Sequence, residues 1–140
     1  MKRGIIVFIW VSLFAAYSCG TADRNNTGTF EQEADYIQIV LFHLEQRCGS
    51  CDAVELETRR LLEEEYLNEM QKGLLKFISL NFQTLNGKKA ARLLRASGQT
   101  LFVVKGDSIE DLTSPAFMFA QTHPDRYLTA LRETLDKYLE

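Results

Sequence analysis

Residues 36–44, Tyr-Ile-Gln-Ile-Val-Leu-Phe-His-Leu, carry apolar side chains on nearly every position, so both faces of an extended segment there are largely apolar. β-Branched and aromatic residues dominate the run, which predicts a central strand covered on both sides. From Cys51 to Lys72 there is neither Pro nor Gly. Val54, Leu61, Leu62, Tyr66 and Met70 recur there at helical spacing among many Glu and Arg, and Gly73 offers a C-terminal cap. The pattern predicts one long amphipathic helix that starts at or just inside Cys48 and Cys51.

Residues 74–82, LLKFISLNF, alternate well enough for a second strand. Asn86-Gly87 reads as its break. Residues 88–97 place Ala91 and Leu94 at helical spacing, and Gly98 closes that helix. TLFVVK at 100–105 predicts a third strand, turned by Gly106-Asp107 into a fourth over 108–112. Ser114-Pro115 has the form of a cap and first-turn proline. Thr122-His123-Pro124 repeats that signal before a last helix with Tyr127, Leu128, Leu131, Leu135 and Leu139 on one stripe. The order β, α, β, α, β, β, α predicts an α/β domain with a central mixed sheet and helices on both faces. The apolar stripes are expected in the core and Glu63-Glu64-Glu65 on a solvated face.

The N-terminus reads differently. Lys2 and Arg3 precede an apolar run from Gly4 to Ala16, then small and polar residues lead to Cys19. This predicts a secretory signal peptide over 1–18, shorter than the roughly 20 apolar residues a membrane span needs. Ala16-Tyr17-Ser18-Cys19 resembles a bacterial lipobox, although Ala16 and Tyr17 stand where Leu and a small residue are usual. The resemblance implies lipidation of Cys19; ordinary cleavage nearby is the alternative. GTADRNNTGTFEQEA at 20–34 is polar and nearly free of apolar side chains. Residues 19–34 are therefore expected to form a lipidated cysteine and flexible tether, and 35–140 the folded domain.

About 106 residues from Asp35 onward suffice for one domain with a core of its own. Loss of Lys2 and Arg3 leaves 14 basic against 19 acidic residues, a formal charge of −5 in place of −3. With no basic stripe, nucleic acid is not an expected partner.

The chemistry centres on QRCGSCDAVE, residues 46–55. A disulfide exchanger needs an accessible, stabilised thiolate and a second thiol close enough to resolve the mixed disulfide. The start of a helix supplies unpaired N–H groups and a partial positive charge, and residues three apart share a side. Cys48 is the expected nucleophile and Cys51 the expected resolving thiol. Gly49 and Ser50 leave Cys48 uncovered. Arg47 would lower its pKa while Glu45, Asp52 and Glu55 oppose.

A purely structural staple would add little, because a loop of about four residues is worth only about 1.9 kcal/mol against roughly 3 for fifteen residues. A metal site would have to recruit His43 and His123, whose spacing resembles no zinc knuckle. Their commoner fates are a rim or core residue for His43 and a helix cap for His123. No metal and no cofactor is expected.

Strand, CxxC at the head of a long helix, strand, helix, hairpin, helix: over Tyr36 to Leu139 this chain resembles the thioredoxin superfamily. Arg47 stands where that family usually has Trp, and Ser50 where it has Pro. Gln99, next to Thr100, holds the place of the cis-proline that presents substrate backbone and keeps metals off the thiols. Phe42 is near the place of a buried acid. RCGSC, the acidic helix and KGDSIEDLTSPAFMFAQTHP are similar to small exported thioredoxin-like nitrophenyl compound nitroreductase subunits of the arsenical-resistance type. The resemblance implies a membrane-anchored lipoprotein facing the periplasm or cell exterior that passes electrons through Cys48 and Cys51. Gln99 and Thr100 would be supporting residues. Its partner would be a membrane electron-transfer protein or an exported disulfide-containing protein. The alternative is a non-catalytic module holding a soft metal ion, an arsenical or a partner protein through its thiols.

Overall fold

In the computed structural model, which describes residues 28–140, strand β1 (Ile37–His43) is buried from Ile37 through Phe42. The predicted signal peptide, Cys19 and the tether up to residue 27 lie outside the described residues. Helix α1 (Gly49–Glu65) and a short α2 (Leu67–Gln71) carry the chain to β2 (Leu75–Asn81), which pairs parallel to β1. Then come α3 (Leu85–Leu94), β3 (Thr100–Lys105), β4 (Ser108–Asp111), α4 (Thr113–Phe119) and α5 (Pro124–Leu139). β3 runs antiparallel to β1 and β4 antiparallel to β3, giving the strand order β2-β1-β3-β4. This mixed α/β sheet, with a helical crossover between its parallel pair and a hairpin at the other edge, follows the thioredoxin-like plan.

Alternation along β1 sends side chains to two cores. Ile37, Ile39 and Leu41 pack with Val54, Leu61 and Leu62 of α1 and with Tyr127, Leu131 and Leu135 of α5. Val40 and Phe42 pack with Ile78, Phe102 and Val104 against Ala90, Ala91 and Leu94 of α3. Gln38 is the polar exception and is fully buried. Its amide is satisfied on both sides, since Oε1 accepts from the Glu31 N–H (2.9 Å) and Nε2 donates to the Glu31 carbonyl (2.7 Å). Phe30 packs against the second core and the Gly106 N–H donates to the Ala34 carbonyl. Phe30, the Glu31 backbone and the Ala34 carbonyl, expected in the tether, therefore touch the domain. Among the described residues no helix is long and apolar enough to cross a membrane.

Three local expectations need correction. The predicted helix over 51–72 is two segments that break at Tyr66 (φ −122°, ψ 21°), where the buried ring is turned so that its hydroxyl donates to Asp136 of α5. Gly73 ends the second segment with φ 73°, as a C-terminal glycine should. α3 begins three residues earlier than predicted, because Thr84 caps it by accepting from the Gly87 N–H. Asn86-Gly87 is thus inside the first turn rather than a break. The helix also ends earlier than Gly98, on Arg95 in the left-handed region (φ 55°). Finally, the segment with Ser114-Pro115 forms a separate helix, α4, whose first N–H at Thr113 donates to the Asp111 carboxylate.

Gly87 is required by a close approach. A Cβ there would lie 1.9 Å from the Asn81 carbonyl oxygen, whereas one at Gly98 would meet nothing within 4 Å. Gly87→Ala is expected to destabilise the domain by about 1–3 kcal/mol in urea unfolding. Gly98→Ala should stay within about 0.5 kcal/mol of the parent; equal effects would contradict the packing described.

Candidate active site

Beyond the end of β1, Leu44 to Arg47 bring the chain to Cys48, which occupies the N-cap position of α1 in extended conformation (φ −100°, ψ 161°). The buried positions Val54, Thr58, Leu61 and Leu62 fix the rotation of α1 against the sheet. Thr58 is itself hydrogen-bonded to the Val54 carbonyl and to the buried Tyr127 hydroxyl of α5, both at 2.5 Å. With the helix so oriented, Cys51 points into the core and is fully buried, while Cys48 at the cap is exposed. Both are free thiols, with their sulfurs 3.7 Å apart.

The two thiols are electrostatically unlike. Cys48 lies below the ordinary thiol range, first because the Cys51 backbone N–H points at its sulfur and next because the Cys51 thiol donates to it. Burial opposes this lowering, and the Ser50 N–H and the Gln99 amide, each weaker than burial, add to the lowering. The N–H groups are orphan donors of a helix N-terminus, which stabilise a thiolate at the cap position. Cys51 is pushed up to about 11, chiefly by burial and then by its hydrogen bond to Cys48 and that thiol's charge.

The structure brings most of the sequence-predicted site residues together. Gln99 Nε2 lies 3.0 Å from the Cys51 sulfur and 3.8 Å from that of Cys48, so this side chain touches both thiols. No peptide bond among the described residues is cis. Thr100 opens β3 opposite Phe42, and its hydroxyl is buried without a hydrogen-bond partner among the described residues. Gly49 is exposed beside Cys48, and the Ser50 hydroxyl donates to Gln121 Oε1 at 3.2 Å.

Arg47 is engaged by carboxylates. It lies along α1, hydrogen-bonded to Glu55 Oε2, with its Nε 3.2 Å from Asp52. Its charge acts on Cys51, where it opposes the upward shift, and is absent from the leading influences on Cys48. His43 and His123 do not join the thiols. The Nδ1 of His43 is bonded to the Leu44 carbonyl and that of His123 to the Thr122 hydroxyl. Among the described residues no group of three or more His, Cys, Asp or Glu is placed to hold a metal ion.

Two participants escaped the sequence reading. Gln121, in the turn between α4 and α5, covers Gly49 and Ser50; a Cβ on Gly49 would come within 2.7 Å of its Nε2. Glu55 was weighed only as a negative charge near Cys48. Its carboxylate in fact accepts from Arg47, from Arg59 (2.8 and 3.0 Å) and from the Ser79 hydroxyl (3.1 Å). Its i,i+4 spacing to both Cys51 and Arg59 was the available signal.

No family model matches this chain, and no curated protein matches it. Among solved structures it is similar to thioredoxin f2 of Chlamydomonas reinhardtii, at 21% identity and a TM-score of 0.43, over 59% of this chain and 70% of that one. The thioredoxin-like architecture itself is carried by the strand order, the strand directions and the CxxC at the head of α1.

The split between the thiols has a measurable consequence. At neutral pH, iodoacetamide should modify Cys48 at least about tenfold faster than Cys51, because only the exposed thiol has an appreciable thiolate fraction. The Cys48 rate should level off below the pH at which an ordinary thiol does, while Cys51 stays protonated until pH approaches about 11. Equal rates followed by mass spectrometry would contradict this geometry.

Proposed function

We propose that this chain is an extracytoplasmic, membrane-tethered thiol–disulfide oxidoreductase that exchanges electrons with an exported protein disulfide or a membrane electron-transfer protein. The observation that carries the exchange reading is the pairing of an exposed, acidified thiol with a buried, proton-retaining one 3.7 Å away. The tether rests on the signal-like N-terminus and the lipobox resemblance at Cys19.

The chemistry is two successive displacements. The Cys48 thiolate attacks one sulfur of the partner disulfide; that S–S bond breaks, and the departing sulfur leaves as a thiolate that takes up a proton. Cys51 then gives up its proton and attacks Cys48 Sγ. The mixed disulfide breaks, the partner's second thiol departs, and the chain retains a Cys48–Cys51 disulfide. Two electrons have moved to the partner, and the reverse sequence moves them back. Gln99 supplies a hydrogen-bond donor to both sulfurs. The similarity to exported nitroreductase subunits favours a membrane carrier of the cytochrome-biogenesis or disulfide-reductase type as electron partner. No flavin or nicotinamide motif is read in the sequence, so the electrons would travel through the thiols.

A second reading has its own support. Gln99 in place of a proline leaves the pair open to soft ligands, and Phe42 supplies no acid for turnover, both of which suit a module that holds a soft ion, an arsenical or a partner protein.

The full-length Cys51→Ser chain separates the two. Exchange requires a stable mixed disulfide on Cys48, recovered from the membrane fraction and released by reductant; Cys19→Ser added to it should move the adduct to the soluble fraction. Loss of soft-ion binding with no adduct would favour the module. An adduct unaffected by Cys19→Ser would leave the exchange and remove the lipid tether.

A further inference from the structure

The corner of the molecule that holds Cys51 contains one ion-pair network that the exchange chemistry does not itself require. Glu55 stands one helical turn beyond Cys51, with its side chain 18% exposed. It collects Arg47, Arg59 and the Ser79 hydroxyl of β2, so that its carboxylate is anchored to the sheet and to its own helix at once. Arg47 precedes the helix, yet it reaches both Asp52 and Glu55, and its Nε is buried. A side chain that spans from residue 47 to residue 55 must lie across the first two turns of α1, the stretch that contains Cys51.

We infer that Glu55 is a positioning residue for the resolving step: anchored by Ser79 and Arg59, it fixes the Arg47 guanidinium across the first turns of α1 and so holds a positive charge by the Cys51 sulfur. The charged and titratable groups in this corner are Cys48, Arg47, Asp52, Glu55 and Arg59. The neighbouring elements add Ser79, Gln99 and Gln121, which are uncharged. Two charges act on Cys51: that of Cys48 raises its pKa, and that of Arg47, the weaker of the two, favours the thiolate against burial. Burial also disfavours ionised Glu55, but the hydrogen bonds and charges of Arg47 and Arg59 outweigh it and keep the carboxyl below its ordinary range. The Glu55 carboxylate therefore stays ionised beside Arg47 in the neutral range. During resolution, Cys51 must lose its proton while the Cys48 sulfur, bonded to the partner, carries no charge. A fixed cation lowers the cost of that deprotonation.

The test uses the full chain in a Cys19→Ser/Cys48→Ser background, where Cys51 is the one thiol, and follows the isotope-labelled cysteine Cβ shift by NMR against pH. Arg47→Gln and Glu55→Ala should each raise the Cys51 pKa by roughly half a unit or more. The two together should do no more than the larger alone, since both remove the same held charge. Glu55→Asp keeps the negative charge but withdraws it from Arg47, and should also raise the pKa; it decides the matter if Glu55→Ala does not fold. A fall or no change in either Glu55 variant, or additive shifts, would overturn the inference.

A kinetic readout rests on the exchange reading. In the chain with both thiols, Glu55→Asp should slow release of the mixed disulfide about threefold or more, the loss of thiolate expected from half a pKa unit, and leave its formation on Cys48 unchanged. A shifted pKa with no mixed disulfide would overturn exchange and leave the positioning of Arg47 standing. A flat pKa with normal exchange would do the reverse.

Discussion

The first turn of α1 leaves backbone N–H groups with no partner inside the helix, and in this protein those of Ser50 and Cys51 favour the thiolate of Cys48 at the cap. For those donors to act on sulfur, the helix must start at a fixed place and in a fixed rotation. β1 provides the place, since it is buried between β2 and β3 with both faces covered, and its end leads directly to the cysteine pair. The rotation comes from the apolar face of α1 and from the Thr58–Tyr127 hydrogen bond to α5. A slip of one residue in either would carry Cys51 out of the core and the asymmetry of the thiols with it.

Around that fixed point the site is built from neutral polar groups and one ion-pair network. Gln99 brings an amide to both sulfurs where a ring would only shield them, and Gln121 closes over the Gly49–Ser50 side. Phe42, packed edge-to-face against Phe82 and Phe102, fills the sheet position nearest to where an acid would stand in the resembling family. The charges are instead on α1 and just before it. In the proposed exchange, proton handling at the buried thiol would fall to groups reached from the helix, not from the strand.

The legible parts of this fold were those whose periodicity and burial agree. β1 and β3 read as continuous apolar runs and are the two central strands; the stripe Tyr127, Leu128, Leu131 and Leu135 is the buried face of α5. The cysteine pair was legible because its chemistry depends on a spacing of three at a helix start. Misreadings arose where a tertiary contact outvoted a local signal. Asn86-Gly87 looks like a turn, but its glycine is there to let α3 pass the Asn81 carbonyl. Tyr66 continues a helical stripe, but a hydrogen bond to Asp136 bends the helix at that point. The polar segment before β1 gave no sign that the buried Gln38 would bind it through Glu31. Arg47 sits beside Cys48 in sequence but reaches Asp52 and Glu55 in space, which no spacing rule reveals.

The central claim is that the cap of α1 poises this dithiol for reversible exchange. Its most direct test is a redox titration of the purified chain in thiol–disulfide buffers, with alkylatable thiols counted at each potential. The account requires a reversible two-electron transition between about −120 and −270 mV, the range of exchanging pairs. A transition below about −300 mV, or none, would show Cys48 and Cys51 to be a structural staple or a thiolate site and would contradict it.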